Sequence, residues 1–226
     1  MPLLPDRLKI TDIPKMENAE VADLMARFEP LVKHFNRYLT IGGFPELALS
    51  DDDLYAQRML REDVVDKVIK RDVLTLFKVR SPLLMEKLFL YLCMNSTEIF
   101  SATTAAKELD NISPNTIESY VDALVKSNLI YMAYPIAVGS KSVLKGRPKI
   151  YIADAAIRNA VLMVDDVLSD ERELGFLIET TVYKHLVSFY QGTGAQLGYY
   201  RKAKENQKEV DAVIEPVSYT HSPSPR

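Results

Sequence analysis

Four cations stand close together without an intervening carboxylate: Lys141, Lys145, Arg147 and Lys149, all within Gly139–Lys149. Lysine and arginine at such spacing on a loop can meet successive phosphates, and contacts of that kind fix position without reading bases. The loop therefore suits docking, on DNA or on protein, rather than sequence-specific readout. A second cationic run, Arg201, Lys202, Lys204 and Lys208, is offset by Glu205 and Glu209 and reads as a solvated hairpin loop. Other chemistries lack their parts. No GxxxxGK[ST] stretch occurs, so no glycine loop can turn its backbone amides onto a nucleotide's phosphates. Gly42-Gly43 is followed by Phe44-Pro45, which removes an amide donor, so a structural turn is expected there. His34, His185 and His221 are scattered and have neither zinc nor triad spacing. The single cysteine, Cys93, lies in the apolar run LFLYLCM and reads as core.

The bulk composition does not add a target. A net charge of −3 and a pI near 5.7 give no global attraction to nucleic acid or to an anionic membrane, so such binding must come from a local patch. No stretch approaches the roughly 18 uncharged apolar residues of a membrane span, and the first ten residues lack the apolar core of a secretion signal. A cytoplasmic protein with no membrane partner is expected. With 47% apolar and 26% charged residues in 226, the chain can bury more than one core.

The elements that must position these residues follow from periodicity. Residues 1–19 hold three prolines and no consistent period, which predicts an extended lead-in. From Val21 an i, i+3, i+4 pattern predicts an amphipathic helix interrupted at Pro30. After the Gly42-Gly43 turn a second long amphipathic helix runs to about residue 77, with mixed-sign charge on its solvated side. Residues 82–154 predict a helix from Leu83 to Met94, a small helix from about Thr103 to Leu109, and a third that Ser113 caps and Pro114 begins. The third runs to about Lys126. Apolar strands from Leu129 to Ile136 and from Lys149 to Ala153 flank the basic loop. Three helices and a two-stranded ribbon spell a winged helix-turn-helix with the basic loop as its wing. Glu118 and Asp122, exposed on the third helix, oppose base readout, so the wing suits DNA or the chain's own protein partner. A helix from Leu174 to Tyr190 then feeds strands Gln196–Arg201 and Glu209–Ile214. One helix and a hairpin are too little for a closed core, and no later partner strand is evident.

Three runs in this order resemble one family: Tyr38-Leu39-Thr40-Ile41-Gly42-Gly43-Phe44-Pro45-Glu46, Lys149-Ile150-Tyr151-Ile152-Ala153-Asp154, and Tyr199-Tyr200-Arg201 with Glu209-Val210-Asp211. The family is the prokaryotic AAA-type ATPases bearing a C-terminal domain of unknown function, and the resemblance covers roughly residues 29–215. It implies a mainly α chain with a small α+β C-terminal part. Lead-in and helical lid-like bundle would occupy 1–80, the winged helix 81–155, and a truncated restriction-endonuclease-like module 156–215. Residues 216–226 are expected to be a non-native tail, since VSYTHSPSPR resembles translated adapter read-through. The resemblance further implies that the N-terminal ATPase domain, the partner of this portion, lies outside the chain, that ATP and Mg²⁺ belong to the full-length parent, and that this chain holds no cofactor or metal and is not catalytic alone. In the endonuclease-like module carboxylates and a lysine gather around a divalent metal. Glu179 and Asp211 match the first two acids of that pattern, while the following acid-x-Lys strand is missing. Read as residues alone, Glu179 is an ordinary helix carboxylate and Asp211 a cap or sheet ion pair. Two functions stay open: the regulatory and coupling portion of an ATPase, or a DNA-binding or degenerate nuclease-like effector.

Overall fold

The computed structural model describes residues 15–77, 79–136, 146–164, 166–201 and 209–215. The lead-in's first 14 residues, Lys141, Lys145, Lys202, Lys204, Lys208, His221 and the tail from 216 lie outside the described residues. The fold is mainly helical with one small four-stranded mixed sheet, and it divides into compact units at 1–38 and 39–226.

In the first unit, α1 (Asn18–Phe28) opens with a capping box between Glu17 and Glu20, whose carboxylate accepts from the Glu17 amide at 2.9 Å. The interruption expected at Pro30 is a 3₁₀ turn, Glu29–Leu31, because proline cannot donate to the helical ladder. Helix α2 (Val32–Ile41) follows.

The second unit carries the core. The α2 terminus turns at Gly42, φ +76°, a left-handed conformation that glycine adopts without steric cost. Pro45 then starts the short α3 (Pro45–Ala48). Asp52 caps α4 (Asp53–Arg61), accepting from Tyr55 N at 2.9 Å. That helix passes without a break into a π-helical stretch, Glu62–Val73, and a last turn, α5 (Leu74–Leu76). Ala56, Leu60, Ile69 and Val73 are its buried side.

Helices α6 (Pro82–Met94), α7 (Ala102–Glu108) and α8 (Pro114–Lys126) begin at Ser81, Ser101 and Ser113. The first two serines accept from Leu84 N and Thr104 N; Ser113 occupies the cap position without a side-chain bond, leaving Pro114 to set the helix start. Met85, Leu88, Phe89, Leu92, Ile117, Val121 and Leu124 interlock with Ile130, Ile150 and Ile152 of the sheet.

Strands β1 (Ile130–Pro135) and β2 (Lys149–Ile152) pair antiparallel, as do β3 (Gln196–Arg201) and β4 (Glu209–Glu215). The hairpin that lacks a partner in sequence finds one earlier in the chain. β3 lies parallel to β1 through Tyr134↔Gly198 and Pro135↔Tyr199, giving the order β2-β1-β3-β4. Gly198 permits this approach, since a Cβ there would sit 2.0 Å from the Tyr134 carbonyl oxygen. Between β2 and the long α10 (Glu171–Tyr190) lies a helix the periodicity does not reveal, α9 (Ala155–Leu162), buried from Ala155 through Val161. None of the helices among the described residues is long and apolar enough to cross a membrane.

Candidate functional site

Alternation along a strand puts Lys149 and Tyr151 on one face of β2, and Glu209 and Asp211 on one face of β4. Helix α10 brings Glu179 to meet them. The Lys149 side chain is only 5% exposed, and its ammonium lies 2.7 Å from Asp211 Oδ1, 3.3 Å from Glu179 Oε1 and against Glu209 Oε1. The Tyr151 hydroxyl donates to Glu179 Oε1 at 2.8 Å, with the Asp211 carbonyl oxygen 3.2 Å away as a second acceptor. Tyr183 of α10 stacks on Tyr151, rings 4.1 Å apart and 6° from parallel, which seals the inner side.

Burial disfavours the charged form of Lys149, but hydrogen bonds to Asp211 and Glu209 and the Glu179 charge more than offset it and carry its pKa up to about 12. Lys149 is therefore a fixed cation. Burial raises the Glu179 carboxyl above the ordinary glutamate range, against the pull of Tyr151 and Lys149. Burial also lifts the Tyr151 phenol far above its usual value, so it stays a donor, and pushes Tyr183 up to about 12. Three carboxylates share one ammonium, an arrangement that fastens β2, α10 and β4 together. Its outer side opens into a cleft of about 640 Å³, lined by Glu179 and Asp211 together with Gly175, Ile178 and Val182 of α10. Among the described residues no set of three or more histidine, cysteine or acidic side chains is arranged to hold a metal ion.

A second junction surrounds α9. Asp154 caps it, accepting from Ala156 N at 2.9 Å, and its other carboxylate oxygen pairs with Lys184 of α10. The Gly42 backbone lies so close that a Cβ there would be 2.7 Å from Asp154 Oδ1 and 2.9 Å from Ala156 Cβ. Asn159 donates to the Leu39 and Thr40 carbonyls at 3.1 and 3.4 Å. Arg158 donates to the Cys93 carbonyl at the end of α6 (3.0 Å) and grips Glu173 of α10 at 2.5 and 3.3 Å. A helix of eight residues thus joins the end of α2, the end of α6 and the first turns of α10.

Of the sequence-predicted residues, Glu179 and Asp211 come together around one cation, with Asp211 forming an ion pair across the sheet. Lys149 belongs to that cluster and is turned inward, whereas Arg147 is exposed and its carbonyl accepts from the Tyr199 hydroxyl at 2.8 Å. Glu118 and Asp122 are exposed on α8, the latter paired with Lys126 at 2.6 Å. Sequence reasoning missed Glu209, Tyr151, Asp154 and Arg158 as participants. The two-residue spacings Lys149-x-Tyr151 and Glu209-x-Asp211 were the available signal for the first two.

The family profile described as "Domain of unknown function (DUF8612)" matches residues 32–168, and the chain belongs to this family. It is similar to two proteins of Methanocaldococcus jannaschii. One, uncharacterized protein MJ1544, is 24% identical over 185 residues, covering 79% of this chain and 40% of the relative. The other, uncharacterized protein MJ1637, is 30% identical over 175 residues, covering 76% of this chain and 36% of the relative. The chain thus spans well under half the length of either protein. No solved structure matches it.

Proposed function

We propose that this member of the DUF8612 family is a regulatory and coupling portion of a AAA-type ATPase, with ATP and Mg²⁺ held by an N-terminal ATPase domain of the parent. In this reading the helices between residues 21 and 80 form a lid-like region, and α6–α8 with β1 and β2 a winged helix. Helix α10 with β3 and β4 belongs to a restriction-endonuclease-like module. The supporting observation is the convergence of the three sequence runs that carry the resemblance. Gly42 of the first abuts Asp154 of the second, and Lys149 of the second holds Asp211 of the third. Residues so far apart in sequence meet at junctions between elements, the contiguous packing through which coupling would be carried. The greater length of the archaeal relatives leaves room for the ATPase domain.

The test has two parts. Calorimetric titration of the purified chain with ATP and Mg²⁺ should give no binding, because it has no phosphate loop. The protein expressed from the complete genomic reading frame should hydrolyse ATP at a rate changed by Asp154→Ala. Binding by the chain alone, or a complete protein without ATP turnover, overturns the reading.

One observation favours a second reading, a DNA-binding or degenerate nuclease-like effector: Glu179 and Asp211 line one cleft with Lys149 behind them. Carboxylates beside a lysine are the groups that metal-assisted phosphodiester cleavage uses. Mg²⁺-dependent nicking of plasmid by the purified chain, lost in Asp211→Asn, would favour this reading. The coupling reading expects no nicking.

A further inference from the structure

We infer that the outward face of α6 is where a helix of the parent's ATPase domain docks. The inference rests on the coupling reading and names the surface through which this portion meets that domain.

Helix α6 is apolar all round, with Glu86 and Lys87 the only charged residues in PLLMEKLFLYLCM. A helix of that composition is normally buried on every side. Its inner side is buried, through Met85, Leu88, Phe89, Leu92 and Cys93. Its outer side is not. Leu83, Lys87, Leu90 and Met94 follow at steps of four, three and four, which lines them along one stripe. The three apolar members remain 63%, 43% and 63% exposed. The chain from 79 to 136, which holds this helix and the two after it, is described without a gap.

Charge and area select the occupant. Both charged residues are paired within the chain, Glu86 with Lys70 at 3.9 Å and Lys87 with Asp110 at 2.8 Å. The pairs leave the face without net charge, which suits neither a phosphate backbone nor an ionic peptide. The 4-3-4 spacing instead suits the apolar ridge of another helix, whose knobs seat between Leu83, Leu90 and Met94. One stripe along a helix about 20 Å long buries on the order of 300–400 Å² per side, under half of the roughly 800 Å² per partner in a stable association. So small a contact holds when both surfaces belong to one polypeptide, because the tether raises their effective concentration. A second copy lacks that tether. The chain matches only 40% and 36% of its two archaeal relatives, whose remaining length leaves room for the tethered domain.

The test places Leu90→Cys in the chain and in the protein expressed from the complete genomic reading frame. A thiol-specific disulfide reagent is added, and labelling at position 90 is followed by peptide mass spectrometry. Native Cys93 is buried and does not compete. Labelling should be about tenfold or more slower in the complete protein, the ratio for a face covered roughly nine-tenths of the time. Adding Met94→Lys should return it to the rate of the chain, since an ammonium there is costly only where a partner covers it. Equal rates with ATP turnover intact overturn the inference and leave the coupling reading standing, whereas absence of turnover overturns that reading and the inference with it. Protection that Met94→Lys does not relieve also overturns the inference. So does slowing in the chain alone that grows with its concentration, which would put a second copy on α6.

Discussion

Replacing Lys149 by methionine keeps the apolar stem and removes only the charge that three carboxylates share. Deleting one member of a buried ion pair costs about 3–5 kcal/mol, most of it from the charge left without a partner. Here the Lys149 side chain is 5% exposed, but those of Glu179 and Glu209 keep 24% and 26% exposure and that of Asp211 52%. Water recovers part of the loss, so the expected cost is about 2–3 kcal/mol. For a unit of this size that is a fall in Tm of about 4–12 °C. Its pH dependence distinguishes charge from packing. In the variant three carboxylates face one another with no cation between them, and taking up a proton relieves their repulsion in the folded state. The destabilisation should therefore be greatest near neutral pH and shrink as pH falls through the carboxylate range, about 4–5. In the native chain the sign is opposite at the alkaline end. The Lys149 pKa of about 12 lies above its ordinary 10.5, so its contribution is complete below the ordinary value and disappears as pH rises through about 12. Urea unfolding of both proteins between pH 4 and 8 measures the difference. A loss below about 1 kcal/mol, or one that does not change with pH, would refute the reasoning.

Gly198→Ala should cost about 2 kcal/mol or more and loosen the β1–β3 junction, since its Cβ would overlap the Tyr134 carbonyl oxygen; an unchanged unfolding midpoint would contradict the close approach. Cys93 is buried and burial raises its thiol pKa, so a thiol-specific disulfide reagent should label it only at the rate of unfolding, and rapid labelling of folded protein would contradict its placement. If the basic loop binds duplex DNA, inward-facing Lys149 leaves Lys141, Lys145 and Arg147, and log affinity should fall against log salt with a slope no steeper than about −2.7. A slope near −3.6 that flattens in Lys149→Met would place Lys149 on phosphate instead.

The helices and strands that bury one side are legible in the sequence, because burial writes a period of 3.6 or 2 into residues such as Ile117, Val121 and Leu124. Helix α9 is not. It is buried all round, so AAIRNAVL shows no polar face, and Arg158 and Asn159 look like surface residues although they are bonded to Glu173, Cys93 O and Leu39 O. The π-helical stretch keeps i+3 and i+4 apolar spacing and so reads as ordinary helix. The parallel β1–β3 pairing joins strands about sixty residues apart, and Gly198 is its only local trace. Glu179 and Asp211 were legible as a pair through the resemblance, whereas Lys149 was read with its neighbours in the basic loop. Strand alternation sends its side chain to the α10 face together with Tyr151, which a charge count along the loop does not register.

If this chain couples its elements as proposed, the junctions at α9 and Lys149 make the end of α2, α10 and the sheet respond together. Amide hydrogen exchange on the chain and on Asp154→Ala tests it most directly, because Asp154 caps α9, pairs with Lys184 and lies against Gly42. Coupled junctions should give faster exchange in residues 39–48 and in α10 as well as in α9, by a similar factor, as expected of one cooperative unit. Acceleration confined to residues 154–162 would contradict it.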